Sequence, residues 1–380
     1  MNTVFCCAVP SYDDKLILDA FSRILDACPA AKALCATSKV LLKPNLLAKH
    51  VPEHAVTTHP AVLRGAILAL QARGVTQITV ADSSGGLYNA IGMNAIYKQS
   101  GLAAVCSETG AALYLDCAST QRQTDGKIVR SFNLIQPVLN ADFILNLPKF
   151  KTHMMTGMTG AVKNLFGTVP GLQKAEFHMR FPEKEMFGEM LVDLCETVRP
   201  QLTVIDGIVG MEGDGPAGGA PRDIGVLLGG ENPYTLDLAL CRMMGLDAMA
   251  VPFLKAAHMR GLCDAVFDTA LLTGDVDAAA PLRDFKLPES YAAINFSARA
   301  PRALRWAVPP VEKLLAPHPH ILKSACIGCG KCVEICPVNA IVIHNKIAQI
   351  APKNCIRCFC CHEMCPAKAI KVRRFGIFNL

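Results

Sequence analysis

A duplicated cysteine pattern near the C-terminus constrains the fold of this chain more than any other feature of its sequence. The pattern Cys-x2-Cys-x2-Cys-x3-Cys-Pro occupies residues 326–337 and recurs over residues 355–366, and an Ala-Ile pair follows each copy. Apolar residues recur at equivalent positions in the two copies, for example Ile327 and Ile356. We therefore predict a small α+β module in which two similar halves share one core.

The cysteine spacing indicates the chemistry of this module. In such a run three cysteines on one tight loop bind one cubane cluster, and the fourth points toward a second cluster. We predict two [4Fe–4S] clusters, the first held by Cys326, Cys329, Cys332 and Cys365 and the second by Cys355, Cys358, Cys361 and Cys336. Cys360 aligns with Lys331, so we expect Cys361 to bind iron instead. Structural zinc is the alternative, but a tetrahedral site does not require duplicated spacing.

The chain length, the N-terminal residues and the apolar runs indicate the cellular compartment of the protein. Disulfide-stapled proteins are short and secreted, whereas this chain has 380 residues, and residues 1–14 show no basic segment followed by an apolar stretch. No run of about 18 apolar residues, the length that spans a membrane, is present. The sequence therefore predicts a cytoplasmic protein that does not cross a membrane, with cysteines that serve metal binding.

Positive charge is concentrated at the C-terminal end. The formal net charge is +6, and from His318 onward the acidic residues are Glu334 and Glu363 alone. A basic surface attracts acidic partners by electrostatic steering. We therefore expect an acidic electron-carrier protein or a partner redox enzyme. The sequence shows no nucleic-acid-binding module and no interleaved aromatic stripe, which argues against nucleic acid.

Residues 1–285 alternate between short apolar runs and helix-like segments. Strands are predicted over residues 39–43, 77–82, 112–116, 142–147, 202–206 and 225–228, and helices over residues 60–73, 89–100, 186–199 and 233–244. This alternation predicts an α/β domain with an open, mostly parallel sheet and helices on both faces. The proline-rich residues 286–320 are predicted to connect it to the ferredoxin-like domain of residues 321–380.

Polar residues cluster in segments that we expect just beyond strand ends, where open α/β sheets bind ligands. The candidate binding residues are Lys43, Asn45, Asp82, Ser83, Lys149, Lys151, Thr152, Asn164, Asp206 and Glu212, and the candidate catalytic residues are His153 and Lys163. Lysines this close together repel one another unless an anion such as a phosphate or carboxylate neutralises them. The acids suit a divalent cation, or they balance the lysines. A solvated basic loop, plain turns and a flexible glycine-rich lid are the alternatives.

These segments together resemble a known family. Lys-Pro-Asn at 43–45, Asp-Ser-Ser-Gly at 82–85, Pro-Lys-x-Lys-Thr-His at 148–153, Lys-Asn at 163–164, Asp-Gly at 206–207 and Met-Glu-Gly-x-Gly-Pro at 211–216 resemble the DUF362 domain. That family has no assigned function and is often fused to a bacterial-type ferredoxin module. The resemblance implies a two-domain iron–sulfur protein and no particular reaction.

Two functions fit these features. In the first, an oxidoreductase component passes electrons from the clusters to an anionic small molecule or cofactor on the α/β domain. His153 is then the candidate proton donor, because the pKa of an unperturbed histidine lies near neutrality. In the second, the chain is a non-enzymatic electron carrier whose α/β domain docks on or regulates a partner metalloenzyme.

Overall fold

The computed structural model describes residues 2–291 and 317–373. The strands of these residues are β1 Val4–Ala8, β2 Lys39–Pro44, β3 Gln77–Val80, β4 Ala112–Leu113, β5 Ser119–Gln123, β6 Ser131–Ile135, β7 Phe143–Leu147, β8 Lys149–His153, β9 Gly157–Thr159, β10 Leu202–Glu212, β11 Ala220–Gly230, β12 Leu272–Gly274, β13 His318–Ile321, β14 Ile341–His344, β15 Ile347–Ile350 and β16 Ile370–Arg373.

Helices of very different length connect and flank these strands. Within the described residues they are α1 Asp14–Ala27, α2 Pro60–Gln71, α3 Ala90–Gln99, α4 Leu102–Thr109, α5 Gln136–Asn140, α6 Ala161–Asn164, α7 Gln173–Arg180, α8 Lys184–Val198, α9 Pro233–Met244, α10 Pro252–Met259, α11 Lys331–Glu334 and α12 Cys360–Glu363. None of the helices in this described part is long and apolar enough to cross a membrane.

A mixed, mostly parallel sheet forms the centre of the large domain. Its strand order is β12-β1-β11-β10-β7-β2-β3-β4, with β8 paired to β10 and β9 paired to β8. Strands β10, β7, β2, β3 and β4 run parallel, while β11 is antiparallel to both β1 and β10. This arrangement confirms the predicted α/β class.

Alternation of side chains along each strand places a hydrophobic core on both faces of the sheet. In β2, Val40 and Leu42 pack with helices α1 to α4, whereas Leu41 faces the opposite core with α8, α9 and α10. Successive strand residues point to opposite faces, so a run that is apolar throughout must be buried on both sides. Helices on both faces are therefore a direct consequence of these strand sequences.

Two segments that we expected to be loops are strands. Residues 149–153 form β8, which pairs in parallel with β10, and β10 itself extends to Glu212 instead of ending at Asp206. The prediction of loops here was wrong, because ladder hydrogen bonds override the weak strand preference of lysine and glycine. Strand β1 and helix α1 were not predicted; β1 is held by antiparallel pairing with β11.

The C-terminal module is small and is built from two similar halves. Strand β13 pairs with β16, and β14 forms a hairpin with β15. Helices α11 and α12 occupy equivalent places in the cysteine repeat, and Ile321, Ile341 and Ile370 form the shared core. Most of the predicted connector, residues 292–316, lies outside the described residues.

The module packs directly on the large domain. Ala175 of α7 is buried against Ile335, Cys358 and Cys360, and Met154 is buried with Phe359 and Val372. The two units are therefore in contact through buried apolar clusters.

Candidate functional site

A cavity of about 70 Å³ lies at the interface between the large domain and the module. Its polar lining residues come from both units, and they are Asn45, Asp82, Ser83, Lys151, His153, Thr159, Lys163, Asn164, Lys174, His178, Cys360 and Glu363. Many of the residues predicted from sequence are thus brought together here, and residues of the module complete the wall.

Lys151 is carried into the cavity wall by the buried strand β8. It is 1% exposed, and its Nζ donates a 2.7 Å hydrogen bond to the carbonyl oxygen of Val56. Burial lowers the pKa of Lys151 to about 7, although the carboxylate of Glu363 acts in the opposite direction. The ammonium is therefore held in a place where a negative ligand would stabilise its charge.

The imidazole ring of His153 contacts the module. Its Nδ1 accepts a hydrogen bond from the backbone N–H of Met155 at 3.1 Å, which leaves the proton on Nε2. That Nε2 lies 3.2 Å from Oε1 of Glu363. Burial lowers the pKa of His153 to about 4, so the ring is neutral near pH 7. The contact joins the two units at the cavity wall.

Glu363 is the acidic counterpart in this part of the cavity. Burial disfavours its ionised form, but His153 and Lys163 together hold the pKa of the Glu363 carboxyl at about 2. Nearby Lys163 is half-buried, with its Nζ 4.8 Å from the ring centroid of Phe166, and burial lowers its pKa. No hydrogen bond or ion pair of Lys163 is formed within residues 2–291 and 317–373.

Lys43 and Asp82 form a buried ion pair beside the cavity. Lys43 Nζ also donates to the carbonyl oxygen of Pro44 at 2.8 Å, and both charged side chains are at most 1% exposed. Lys174 reaches the same region from α7 and donates to the carbonyl oxygen of Ser83 at 2.7 Å. Burial lowers the pKa of Lys174 to about 7.

Lys149 and Asp206 form a second buried ion pair that does not line the cavity. Lys149 Nζ lies 2.8 Å from Asp206 Oδ2 and donates to the hydroxyl of Tyr12 at 2.8 Å. Asp206 also accepts a hydrogen bond from the backbone N–H of His59. These contacts satisfy both charges within the domain.

Thr152 and Glu212 also lie outside the cavity wall. The hydroxyl of Thr152 accepts from the N–H of Gly215 at 3.3 Å. Glu212 Oε2 lies 3.7 Å from Arg222 Nη1 and accepts from the N–H of Lys286. Within residues 2–291 and 317–373, no group of three or more His, Cys, Asp or Glu side chains is arranged to hold one metal ion. The predicted divalent cation therefore gains no support from this part of the chain.

The predicted cluster ligands line two separate small cavities in the module. The first cavity is lined by Cys326, Cys329, Cys332 and Cys365 and the second by Cys336, Cys355, Cys358 and Cys361, with Cys360 beside them. Backbone N–H groups donate to several of these sulfurs, including Ala340 to Cys336 and Ala369 to Cys365, both at 3.2 Å. Four cysteine sulfurs around one cavity are the ligands of a [4Fe–4S] cubane, and N–H···S bonds adjust the reduction potential of such a cluster.

Three residues of the cavity wall were missed by sequence reasoning. Lys174 follows no predicted strand, so nothing in the sequence marked it as a site residue. Glu363 occupies the same place in the repeat as Glu334, and Cys360 was expected to be a bystander. The position of the module on the domain distinguishes Glu363 from Glu334, and no local pattern carries that information.

The fold and the cysteine module define an α/β protein fused to an iron–sulfur module. A model of the domain of unknown function DUF362 matches residues 40–242, and a model of the 4Fe-4S binding domain matches residues 319–342. The chain is also 32% identical over 270 residues to a thylakoid-associated protein of Synechocystis sp., covering 70% of this chain and 81% of that protein. The chain therefore belongs to the DUF362 family and carries a 4Fe–4S binding domain, as the sequence resemblance predicted.

Two solved structures are distantly similar. The lactate racemase apoprotein from Thermoanaerobacterium thermosaccharolyticum aligns at 12% identity with a TM-score of 0.39, covering 64% of this chain and 56% of that protein. A protein from Thermotoga maritima aligns at 13% identity with a TM-score of 0.32, covering 52% of this chain and 51% of that protein. This chain thus spans about half of either protein, and scores this low carry no functional information.

Proposed function

We propose that this protein passes electrons from two [4Fe–4S] clusters in its C-terminal module to an anionic small molecule in the interdomain cavity. The observation that carries the proposal is the shared wall, because Cys360 and Glu363 of the module line the same cavity as Lys163 of the large domain. Cys360 lies between Cys358 and Cys361, which the repeat assigns to the second cluster. Bound clusters would supply one-electron transfer at low potential.

Two clusters are supported by the two cysteine-lined cavities. Each cavity is bordered by the four cysteines that the repeat assigns to one cluster. Cys329 of the first set is exposed, whereas Cys358 of the second set is buried in a cluster with Ala175 of the large domain. We therefore place the first cluster on the side of the electron donor and the second on the side of the cavity.

The charges of the cavity wall support an anionic occupant. Asp82 is already paired with Lys43, so Glu363 is the remaining acid among the lining residues. The lysines that line the cavity are Lys151, Lys163 and Lys174. Since burial and, after it, neighbouring lysines lower the pKa of all three, an anion between them would favour their charged forms.

Lys163 and His153 have different roles in this proposal. Lys163 makes no ion pair among the described residues, so its ammonium is available to bind the occupant and to donate a proton to it. His153 is neutral near pH 7 and directs Nε2 at Glu363, so it positions α12 against the cavity. We therefore assign proton donation to Lys163 in place of His153.

An acidic electron carrier is the proposed donor, and we place the reaction in the cytoplasm. Ile327 and Ile343 are 67% and 41% exposed, and both border the first cysteine-lined cavity of the module. Lys331 borders the same small cavity as Ile327 and Ile343, and exposed Lys346 contacts Gly328. An apolar patch with lysines around it suits a protein that has acidic residues around its redox centre.

Mass spectrometry of the anaerobically purified protein tests this function. A small anion should be extracted from the wild-type protein, and after reduction with dithionite it should have gained two electrons and two protons, that is, two hydrogens in mass. Lys163→Met should lose the molecule, while Lys98→Met, at an exposed lysine far from the cavity, should keep it.

The cluster requirement is tested by Cys355→Ser, which removes one ligand of the second cluster. This variant should retain the molecule but fail to reduce it. If the wild-type protein holds no molecule and transfers electrons to a carrier protein at the same rate as Lys163→Met and Lys98→Met, the non-enzymatic carrier is the correct function instead.

A further inference from the structure

Two buried amide oxygens in the cavity wall have no hydrogen-bond donor. Oδ1 of Asn45 and Oδ1 of Asn164 are both unpartnered, although the two residues are only 7% and 3% exposed. Both residues line the cavity. A buried acceptor without a partner costs about 1–3 kcal/mol, so these oxygens call for a donor that the chain itself does not provide.

The orientation of the Asn164 amide is fixed by its neighbour. Asn146 Nδ2 donates to the carbonyl oxygen of Ala161 at 3.0 Å, so Asn146 Oδ1 is left to act as an acceptor. Asn164 Nδ2 donates to that Oδ1 at 2.7 Å. The free atom of Asn164 is therefore its oxygen, and a rotated amide would break this chain of bonds.

Cationic groups lie in the same wall as these acceptors. Lys163 has an ammonium without an ion pair among the described residues, and Lys151 uses one of its N–H groups on Val56. Nδ1 of buried His178 also lacks a partner. The cavity thus presents charge for an acidic group and, beside it, the oxygen of Asn164, which can only accept hydrogen bonds.

We propose that the cavity selects a small molecule that bears both a carboxylate and a neighbouring hydroxyl, and that it discriminates against anions that only accept hydrogen bonds. Lys163 would bind the carboxylate, and the oxygens of Asn45 and Asn164 would accept from the hydroxyl. This inference rests on the proposed function, because it concerns the same cavity. A volume of about 70 Å³ suits a few non-hydrogen atoms, since one water needs roughly 10–15 Å³.

Calorimetric titration of the anaerobic, cluster-loaded protein with three probes tests the selectivity. Glycolate carries a carboxylate and a hydroxyl, acetate only the carboxylate, and ethylene glycol only hydroxyls. Glycolate should bind about tenfold tighter than acetate, because one hydrogen bond to a buried acceptor is gained. Ethylene glycol should bind more weakly than glycolate, because Lys163 then lacks a charged partner.

Substitutions at the two amides separate selectivity from folding. Asn45→Leu should lower the affinity for glycolate to that for acetate and leave the affinity for acetate unchanged. Within the described residues the Asn45 side chain makes no hydrogen bond, so its replacement should not disturb the fold. Asn164→Leu should also reduce glycolate binding to the level of acetate, but it removes the donor to Asn146 Oδ1 and should therefore lower stability as well. Lys163→Met should weaken both acids by a similar factor, whereas Lys98→Met should change neither.

The inference is overturned if wild-type protein binds acetate as tightly as glycolate, or if it binds neither. It is also overturned if Asn45→Leu retains the preference for glycolate. If the protein shows no preference for glycolate but still reduces the co-purified molecule, only the selectivity is rejected. Absence of that reduction would reject the proposed function, whatever glycolate does.

Discussion

Lys151 occupies a position in strand β8 that is as deeply buried as a hydrophobic core residue. Its side chain is 1% exposed and its pKa is lowered to about 7 by that burial. In the unfolded chain the same group titrates near 10.4. Between these two pH values the unfolded state binds more protons than the folded state, so the buried lysine lowers stability as the pH falls from 10 to 7.

The variant Lys151→Met should therefore be more stable than the wild-type protein near neutral pH. The gain should be largest below pH 7, shrink as the pH rises, and disappear above about pH 11, where the lysine is neutral in both states. Thermal unfolding at several pH values measures this difference. A constant difference between the two proteins over this range would contradict the lowered pKa.

Lys149→Met, two positions earlier in the same strand, is the matched opposite case. Lys149 is paired with buried Asp206, so its removal leaves an uncompensated carboxylate. We expect a loss of about 3–5 kcal/mol in unfolding free energy, as for other broken buried pairs. Denaturant titration of Lys149→Met and Lys151→Met in parallel measures this loss. Equal changes in unfolding free energy in the two variants would be inconsistent with the pairing of Lys149 and Asp206.

Sequence reasoning identified these lysines but not their different environments. The partner of Lys149 is Asp206, which is brought beside it by the parallel register of β8 with β10. The partner of Lys43 is Asp82, at the end of the neighbouring strand. Such pairing depends on strand order and register, which are set by tertiary contacts and not by the spacing of residues along the chain.

At the scale of elements, the four residues of α6 carry both Lys163 and Asn164 into the cavity. Helix α6 follows Gly160, where a Cβ would lie 2.0 Å from Asp237 Oδ1. Asp237 is fully buried, and it accepts from the N–H of Ala161 and of Val162 at the start of α6. A side chain of α9 therefore fixes the position of the short helix.

Asp237→Ala should lower both the free energy of unfolding and the affinity for glycolate. The N–H groups of Ala161 and Val162 would lose their acceptor, which costs about 1–3 kcal/mol. Denaturant unfolding should show this loss, and glycolate binding should fall because Lys163 is displaced. The exposed Asp125→Ala serves as the control and should change neither quantity. Unchanged binding in a destabilised Asp237→Ala protein would show that α6 does not depend on this contact.

Element prediction succeeded for several apolar segments, missed the apolar strand β1, and failed at β8, which has no apolar run. Helix α9 was predicted with the observed ends, and α2 differs by only two residues at its C-terminal end. Strand β8 has the sequence Lys-Phe-Lys-Thr-His, which lacks any apolar alternation. Its burial comes from pairing with β10 and from cover by the module, so its own sequence gave no strand signal.

At the scale of the whole molecule, the two halves of the module differ in what they contact. Glu334 is exposed and pairs with Lys331, whereas the equivalent Glu363 lies against His153 in the cavity wall. Ile327 is 67% exposed, while the equivalent Ile356 is packed in the cluster of residues around Ala175. Docking of the module thus gives two similar sequences different surroundings.

Glu363→Gln and Glu334→Gln form a matched pair for this contact. Glu363→Gln should speed hydrogen exchange in α12 and in the Met154 region, because a neutral amide oxygen attracts the Nε2–H of His153 less strongly than the carboxylate does. Glu334→Gln should leave exchange at both places unchanged, since its partner is on the surface of the module. Mass-spectrometric hydrogen exchange, with iron content measured in parallel, gives the comparison. Equal protection in the two variants would mean that Glu363 does not hold the module on the domain.

In the proposed function the second cluster borders the cavity. Redox titration followed by electron paramagnetic resonance tests this position directly. Lys163 contributes positive charge beside Cys360, and nearby positive charge favours the reduced, more negative form of a cluster. In Lys163→Met we expect a more negative potential for one of two clusters and an unchanged potential for the other. Two unchanged potentials, or two equal shifts, would contradict it.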